Sequence, residues 1–109
     1  MSKISILLLE PVDFPLAVKT GNTFRIKVRV QVAGVSSPGR GQMVLQFDKS
    51  VFALVNSSEV QPFEIFPDRN VVIGNWTLRA LRAVKESTMA VIAKSDSLVQ
   101  AASFGVKVL

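Results

Sequence analysis

Residues 24–32, Phe-Arg-Ile-Lys-Val-Arg-Val-Gln-Val, alternate apolar and polar at every position. Successive side chains of an extended chain point to opposite faces, so the pattern predicts a strand with a dry side and a wet side. Phe24, Ile26, Val28, Val30 and Val32 take the dry side, and Arg25, Lys27, Arg29 and Gln31 the wet one. Other segments carry shorter versions of the same pattern. Ile4–Leu9 runs toward Pro11 and Pro15, which interrupt ladder pairing and predict an edge strand, and Phe14–Val18 reads as a second piece of that edge. Gln42–Phe47 alternates with Met43, Leu45 and Phe47 on one side, and Ala101–Val108 with Ala102, Phe104, Val106 and Val108. Val51–Val55, Phe63–Phe66, Val71–Ile73 and Thr88–Ala93 are further short apolar stretches.

Between them lie turn signals. Lys19–Asn22, Asp48–Ser50 and Pro67–Asn70 read as turns, and Ser36–Gly41 and Asn56–Pro62 as loops. Trp76–Glu86 is ambiguous, because it is made of good helix formers and Leu78, Leu81 and Lys85 would share a helical face. The strand reading is preferred over 76–80, with Trp76, Leu78 and Ala80 inward and Thr77 and Arg79 outward, since the apolar stripe of a helix there would be narrow. Short strands with turns roughly every ten residues predict an all-β, two-sheet antiparallel β-sandwich of about seven to nine strands. The expected core is Phe24, Ile26, Val28, Val30, Leu45, Phe47, Trp76, Val91, Phe104 and Val106.

Length and composition bound this picture. A chain of 109 residues is expected to form one domain over residues 1–109. Area scaling gives it roughly 17,000 Å² unfolded and about 6,000 Å² folded, enough burial for a core without covalent staples. There is no cysteine, so no disulfide contributes. No apolar run approaches the ~20 residues of a membrane-spanning helix or the ~7 of a signal h-region, so an exported protein would carry its targeting segment outside this chain.

The formal charge of +5 raises the question of nucleic acid. The 13 basic residues form no run, aromatic residues are seven Phe and one Trp, and no nucleic-acid-binding signature is present, which argues against that partner. Catalytic chemistry is sparse. Without His or Cys there is no Ser/His/Asp or Cys/His constellation and no nitrogen or sulfur ligand for zinc. Carboxylate pairs such as Glu59 with Glu64, or Asp13 with Asp48, are the remaining acid–base candidates, and scattered solvated acids are the simpler reading. No dense Asp-x-Asp calcium loop or phosphate-binding glycine loop occurs. The expectation is therefore a non-enzyme with no cofactor and no required metal.

Lys19-Thr-Gly-Asn-Thr-Phe-Arg-Ile-Lys-Val-Arg-Val resembles the opening of many bacterial immunoglobulin-like and cohesin-like modules, K-x-G-[DN]-T-φ-x-V-x-V. Met43-Val-Leu-Gln-Phe-Asp-Lys-Ser-Val-Phe is similar to the cohesin-type L-x-Y-D-P-x-V-L, with Phe47 for the usual Tyr and Lys49 for the usual Pro. Residues 93–108 are similar to the closing strands of such domains. The resemblance covers about two thirds of the chain, and its motifs are alternation and turn chemistry. It implies a sandwich fold and a protein-interaction, adhesion or structural role within a larger bacterial assembly, in an extracytoplasmic or cell-surface setting.

The candidate binding surface is the cationic row Arg25, Lys27 and Arg29, extended by Arg79 if residues 76–80 form the neighbouring strand. The simpler reading of the row is a solvent-exposed face kept soluble by charge; as a docking surface, its expected partner is another protein or sister domain, acidic in character, or a polyanionic glycan. The alternative is a small carbohydrate- or anion-binding sandwich that uses the loops Ser36–Gly41 and Asn56–Pro62. That reading requires Trp76, Phe63 and Phe66 to be exposed together, whereas a lone Trp in such a pattern is more often a core plug.

Overall fold

The computed structural model describes residues 3–10, 16–96 and 98–109. Nine strands are described: β1 (Lys3–Glu10), β2 (Leu16–Val18), β3 (Thr23–Ala33), β4 (Gly39–Gln46), β5 (Phe52–Leu54), β6 (Val60–Ile65), β7 (Val71–Ala80), β8 (Val84–Ser95) and β9 (Leu98–Val108). They form two sheets, one ordered β1-β3-β7-β5 and the other β2-β9-β8-β4-β6. All pairings are antiparallel except β2 with β9. The fold is the expected immunoglobulin-like β-sandwich, and its accessible surface of 6428 Å² is close to the area that chain length alone predicts.

The long alternating strand behaves as its pattern dictates. Ile26, Val28 and Val30 are fully buried and Arg25 and Arg29 exposed, with Lys27 half-buried on the same outer side. Leu45, Trp76, Val91 and Val106 join them in one hydrophobic cluster between the sheets. Phe24, Phe47 and Phe104 only flank that cluster, half-buried. The Phe24 ring meets Phe52 edge-on, with centroids 5.5 Å apart.

Residues 76–80 are strand, and no helix forms over 76–86: β7 ends at Ala80 and β8 begins at Val84. Trp76, Leu78 and Ala80 are buried, while Thr77 is half-buried and Arg79 exposed. Burying those three against the facing sheet outweighs the weak helix propensities of the segment.

Several boundaries differ from the sequence expectation. Leu16–Val18 does not continue the edge that β1 forms; it pairs in parallel with Val106–Val108 in the opposite sheet. Phe14 and the two prolines invoked for that edge lie outside the described residues. Gly39–Gly41 is not loop but the start of β4, where Gly41 stands opposite Phe63 and Ser95. A Cβ on Gly41 would collide with the Lys94 carbonyl and the Phe63 ring, so the glycine there serves close packing and not a turn. Likewise Val60-Gln61-Pro62, expected as loop, opens β6, whose position at the edge of its sheet tolerates the missing proline N–H. Val71–Ile73 and Trp76–Ala80 are one continuous strand through Gly74, whose missing side chain leaves room for the Met43 sulfur and the Trp76 ring. At the tip of the β8–β9 hairpin, Ser95 pairs with Leu98 and Asp96 takes a left-handed φ of 52°.

Two substitutions test this packing. Val28→Ala is expected to cost roughly 1–3 kcal/mol through lost apolar contact and a residual cavity. Gly41→Ala is expected to cost about 1–3 kcal/mol through overpacking, although alanine is the better residue for an open strand position. Urea denaturation with each variant checks both. A Gly41→Ala protein as stable as wild type would show that the backbone approach at Lys94 is looser than described.

Candidate binding face

Because Val28 and its parity partners are buried, the opposite parity of β3 faces solvent on the outside of the four-stranded sheet. Arg25, Lys27 and Arg29 project there at intervals of about 6.6 Å, twice the rise of a strand residue. Register with β7 sets Arg25 beside Thr77, Lys27 beside Asn75 and Arg29 beside Ile73. Arg79 is exposed and stands opposite Thr23, one outward step beyond Arg25, so the structure brings all four predicted cations onto one face.

The described residues offer little charge compensation there. Their ion pairs are Arg40–Glu64 at 3.6 Å and Lys49–Glu59 at 2.8 Å, and neither involves the row. The acid that the register sets nearest is Glu10, opposite Lys27 just past an irregularity in β1. Like charges in adjacent positions of one face raise the free energy unless salt or a partner screens them.

Three apolar side chains on the same face were not anticipated. Leu7 and Ile73 flank Arg29 on its two sides, at 49% and 48% exposure, and Val71, at 45%, stands opposite Gln31. Lys3 on β1 adds an exposed cation at the far end. In sequence, Leu7 lies within an unbroken apolar run, so alternation gives no sign of which side it takes. Only the β1–β3 register does.

The chemistry elsewhere is limited. Among the described residues no cluster of three or more acids, His or Cys is placed to hold a metal ion. Glu59 and Glu64, one of the two candidate carboxylate pairs, are each engaged by a different cation. Asp13, from the second pair, lies outside the described residues. Its proposed partner Asp48 instead closes the turn into β5. The Ser50 hydroxyl and backbone N–H both donate to Asp48 Oδ1, at 2.7 and 2.9 Å. These bonds, helped by Arg82, hold the Asp48 carboxyl below the usual aspartate range.

The glycan-platform arrangement is absent. Trp76 is fully buried and donates its indole N–H to the Glu59 carbonyl at 3.2 Å, Phe63 is 8% exposed, and Phe66 is half-buried against Arg69. The loop around Ser36 and Ser37 borders a cavity of about 110 Å³ that also contains Asp96, a poor neighbour for an anion. A larger cleft of about 520 Å³ between β1 and β9 is lined mainly by apolar side chains such as Ile6, Leu8 and Val91, with Glu86 at its side.

No family model and no curated protein matches this sequence. Solved structures do match its fold. A region of Salmonella alpha-2-macroglobulin superposes with a TM-score of 0.71 at 17% identity, covering 96% of this chain and 7% of that protein. A family 123 glycoside hydrolase from Clostridium perfringens gives 0.61 at 12% identity, covering all of this chain (100%) and 27% of the enzyme. A type I cohesin–dockerin complex from Clostridium thermocellum gives 0.53 at 11% identity, with 98% and 95% covered. The likeness to immunoglobulin-like and cohesin-like sandwiches therefore holds at the level of fold. The chain spans less than a tenth of the macroglobulin it matches.

The Asp48 turn gives a pH prediction. With its pKa lowered on folding, the unfolded chain binds the extra proton first, so this carboxylate stabilises the fold above the ordinary aspartate value of about 3.9. The contribution is lost as pH falls through the lower folded value. The melting temperature of wild type should accordingly fall more steeply than that of Asp48→Asn between about pH 5 and pH 2. Parallel acid limbs would contradict the assignment.

Proposed function

We propose that this chain is a non-catalytic protein-interaction module that docks an acidic protein or sister domain on the outer face of its four-stranded sheet. The observation that carries the reading is the outward row of exposed Arg25, Arg29 and Arg79 with half-buried Lys27, free of ion pairs among the described residues and bordered by exposed Leu7, Ile73 and Val71. Cations beside exposed apolar groups fit a partner that brings carboxylates around an apolar contact. Arginine is enriched at such interfaces, and charge complementarity steers the encounter. The cohesin neighbour, solved as a complex with dockerin, and the macroglobulin region, part of a far longer chain, supply a consistent setting: one sandwich working within a larger assembly. Burial of Trp76 and Phe63 weighs against the carbohydrate alternative.

The test reverses Arg25 and Arg29 to Glu together. Outward surface changes of this kind move stability by no more than about 0.5 kcal/mol, so the melting curve should hardly change. Binding to poly-glutamate, used as an acidic probe, should weaken at least ~10-fold in the variant. It should also fade for wild type toward 1 M salt, where the Debye length is about 3 Å. Equal binding by wild type and variant would remove the row from any docking role.

A further inference from the structure

The outermost strands of the two sheets are each protected against pairing with another chain. β2 and β5 are three residues long, β6 carries Pro62, and β1 has an irregularity between Leu8 and Glu10. A further edge is open. β2 covers β9 only along Val106–Val108, so from Leu98 to Gly105 β9 has β8 on one side and no described strand on the other. That stretch, Leu-Val-Gln-Ala-Ala-Ser-Phe-Gly, contains no charge, no proline and no break in register.

The bonds of Leu109 tell which backbone groups face the open side. Leu109 donates to the Val18 carbonyl at 2.7 Å and accepts from the Thr20 N–H at 2.9 Å, so both its groups point toward β2. Backbone groups of a strand alternate sides with a period of two, so those of Val99, Ala101 and Ser103 point the same way, beyond the reach of β2. Three N–H donors and three C=O acceptors are thus set along about 13 Å of edge with no strand partner among the described residues. Beside them lies the cleft of about 520 Å³ between β1 and β9, whose lining includes Ile6, Leu8, Val91 and Ala102.

We propose that this edge and cleft bind an extended segment of a partner chain, which adds to the five-stranded sheet beside β9, in line with β2. The backbone decides the class of occupant. Alternating donors and acceptors along an edge are satisfied by another extended backbone, whereas a helix keeps its own groups paired internally. The cleft decides the side chains: one side of the added strand turns toward the space between the sheets, so the occupant carries apolar residues at alternate positions. Charge is not the selector, because the charged neighbours sit at the two ends, Lys94 beside Val99, and Glu86 and Lys107 around Gly105. The site belongs to the sheet opposite the cationic row.

Fluorescence anisotropy with a labelled eight-residue peptide of alternating valine and threonine tests this. Wild type should bind it, and binding should persist in 1 M salt. Methyl groups on alternate peptide nitrogens remove donors along one edge of the added strand and leave its side chains in place. Methylation along one edge should weaken binding at least ~30-fold, through the loss of about three hydrogen bonds, and methylation along the other should be tolerated. This comparison needs no variant of the protein. Ser103→Pro removes an edge donor where β8 loses no bond, and Ala102→Lys puts a charge beside the cleft, as natural edges do to refuse partners. Each should weaken binding at least ~10-fold, with circular dichroism melts confirming the fold. Arg25→Glu with Arg29→Glu should leave binding unchanged. No binding by wild type, equal binding of the two methylated peptides, or binding that a folded Ala102→Lys protein retains in full overturns the proposal. So does a wild type that sediments at twice its 11.9 kDa and returns to one chain's mass in Ala102→Lys, which would give the edge to a second copy.

Discussion

Trp76 joins the two sheets. It belongs to β7 in one sheet, yet its indole N–H donates to the Glu59 carbonyl at the entry to β6 in the other, at 3.2 Å. That carbonyl also accepts the Leu45 N–H of β4 at 3.0 Å, so one backbone oxygen links three strands. Two residues on, the Gln61 side-chain amide reaches the backbone of Asn75, donating to its carbonyl at 2.5 Å and accepting from its N–H at 3.2 Å. Gly74 leaves room for the indole ring, as it does for the Met43 sulfur. With Trp76 pinned inward, the period of two sends Asn75, Thr77 and Arg79 outward, and the β3–β7 register then fixes Arg25, Lys27 and Arg29 on that same outer face. A slip of one residue would bury the cations and expose Val28. The burial of a tryptophan whose only polar group has a partner is what makes such a slip costly.

The two outer faces differ because their strands differ in what alternates. On β3 every outward position from Thr23 to Gln31 is charged or polar, which yields the cationic row. On β8 and β4 the outward positions include Ala90, Ile92 and Val44, so the five-stranded face has an apolar middle. A sandwich keeps these surfaces about 20 Å apart, the short axis of the molecule.

Much of the fold was legible where burial leaves a periodic trace. The nine-position alternation of residues 24–32 and the Trp76, Leu78, Ala80 parity identified two central strands and placed all four cations on the correct side. Glycine and proline misled. Gly39, Gly41 and Pro62 were read as loop punctuation, but the first two sit in β4, with Gly41 close-packed, and the last on an edge strand, where a missing side chain or N–H is tolerated. The assignment of Leu16–Val18 to its sheet was beyond local pattern, because three residues can pair with either edge. The sides of the outward apolar residues Leu7, Ile73 and Ile92 leave no local trace for a related reason: in an apolar run, side is decided by cross-strand partners and not by the run itself.

Hydrogen exchange of the Trp76 indole N–H, followed by NMR alongside the backbone amides, tests the linking role of this residue most directly. If the indole bond holds the sheets in register, that proton exchanges only when the whole molecule opens. Its opening free energy should then equal that of the slowest amides in β3 and β7. Indole exchange markedly faster than those amides would show that the sandwich stays closed without the bond, and the constraint on register would have to lie elsewhere.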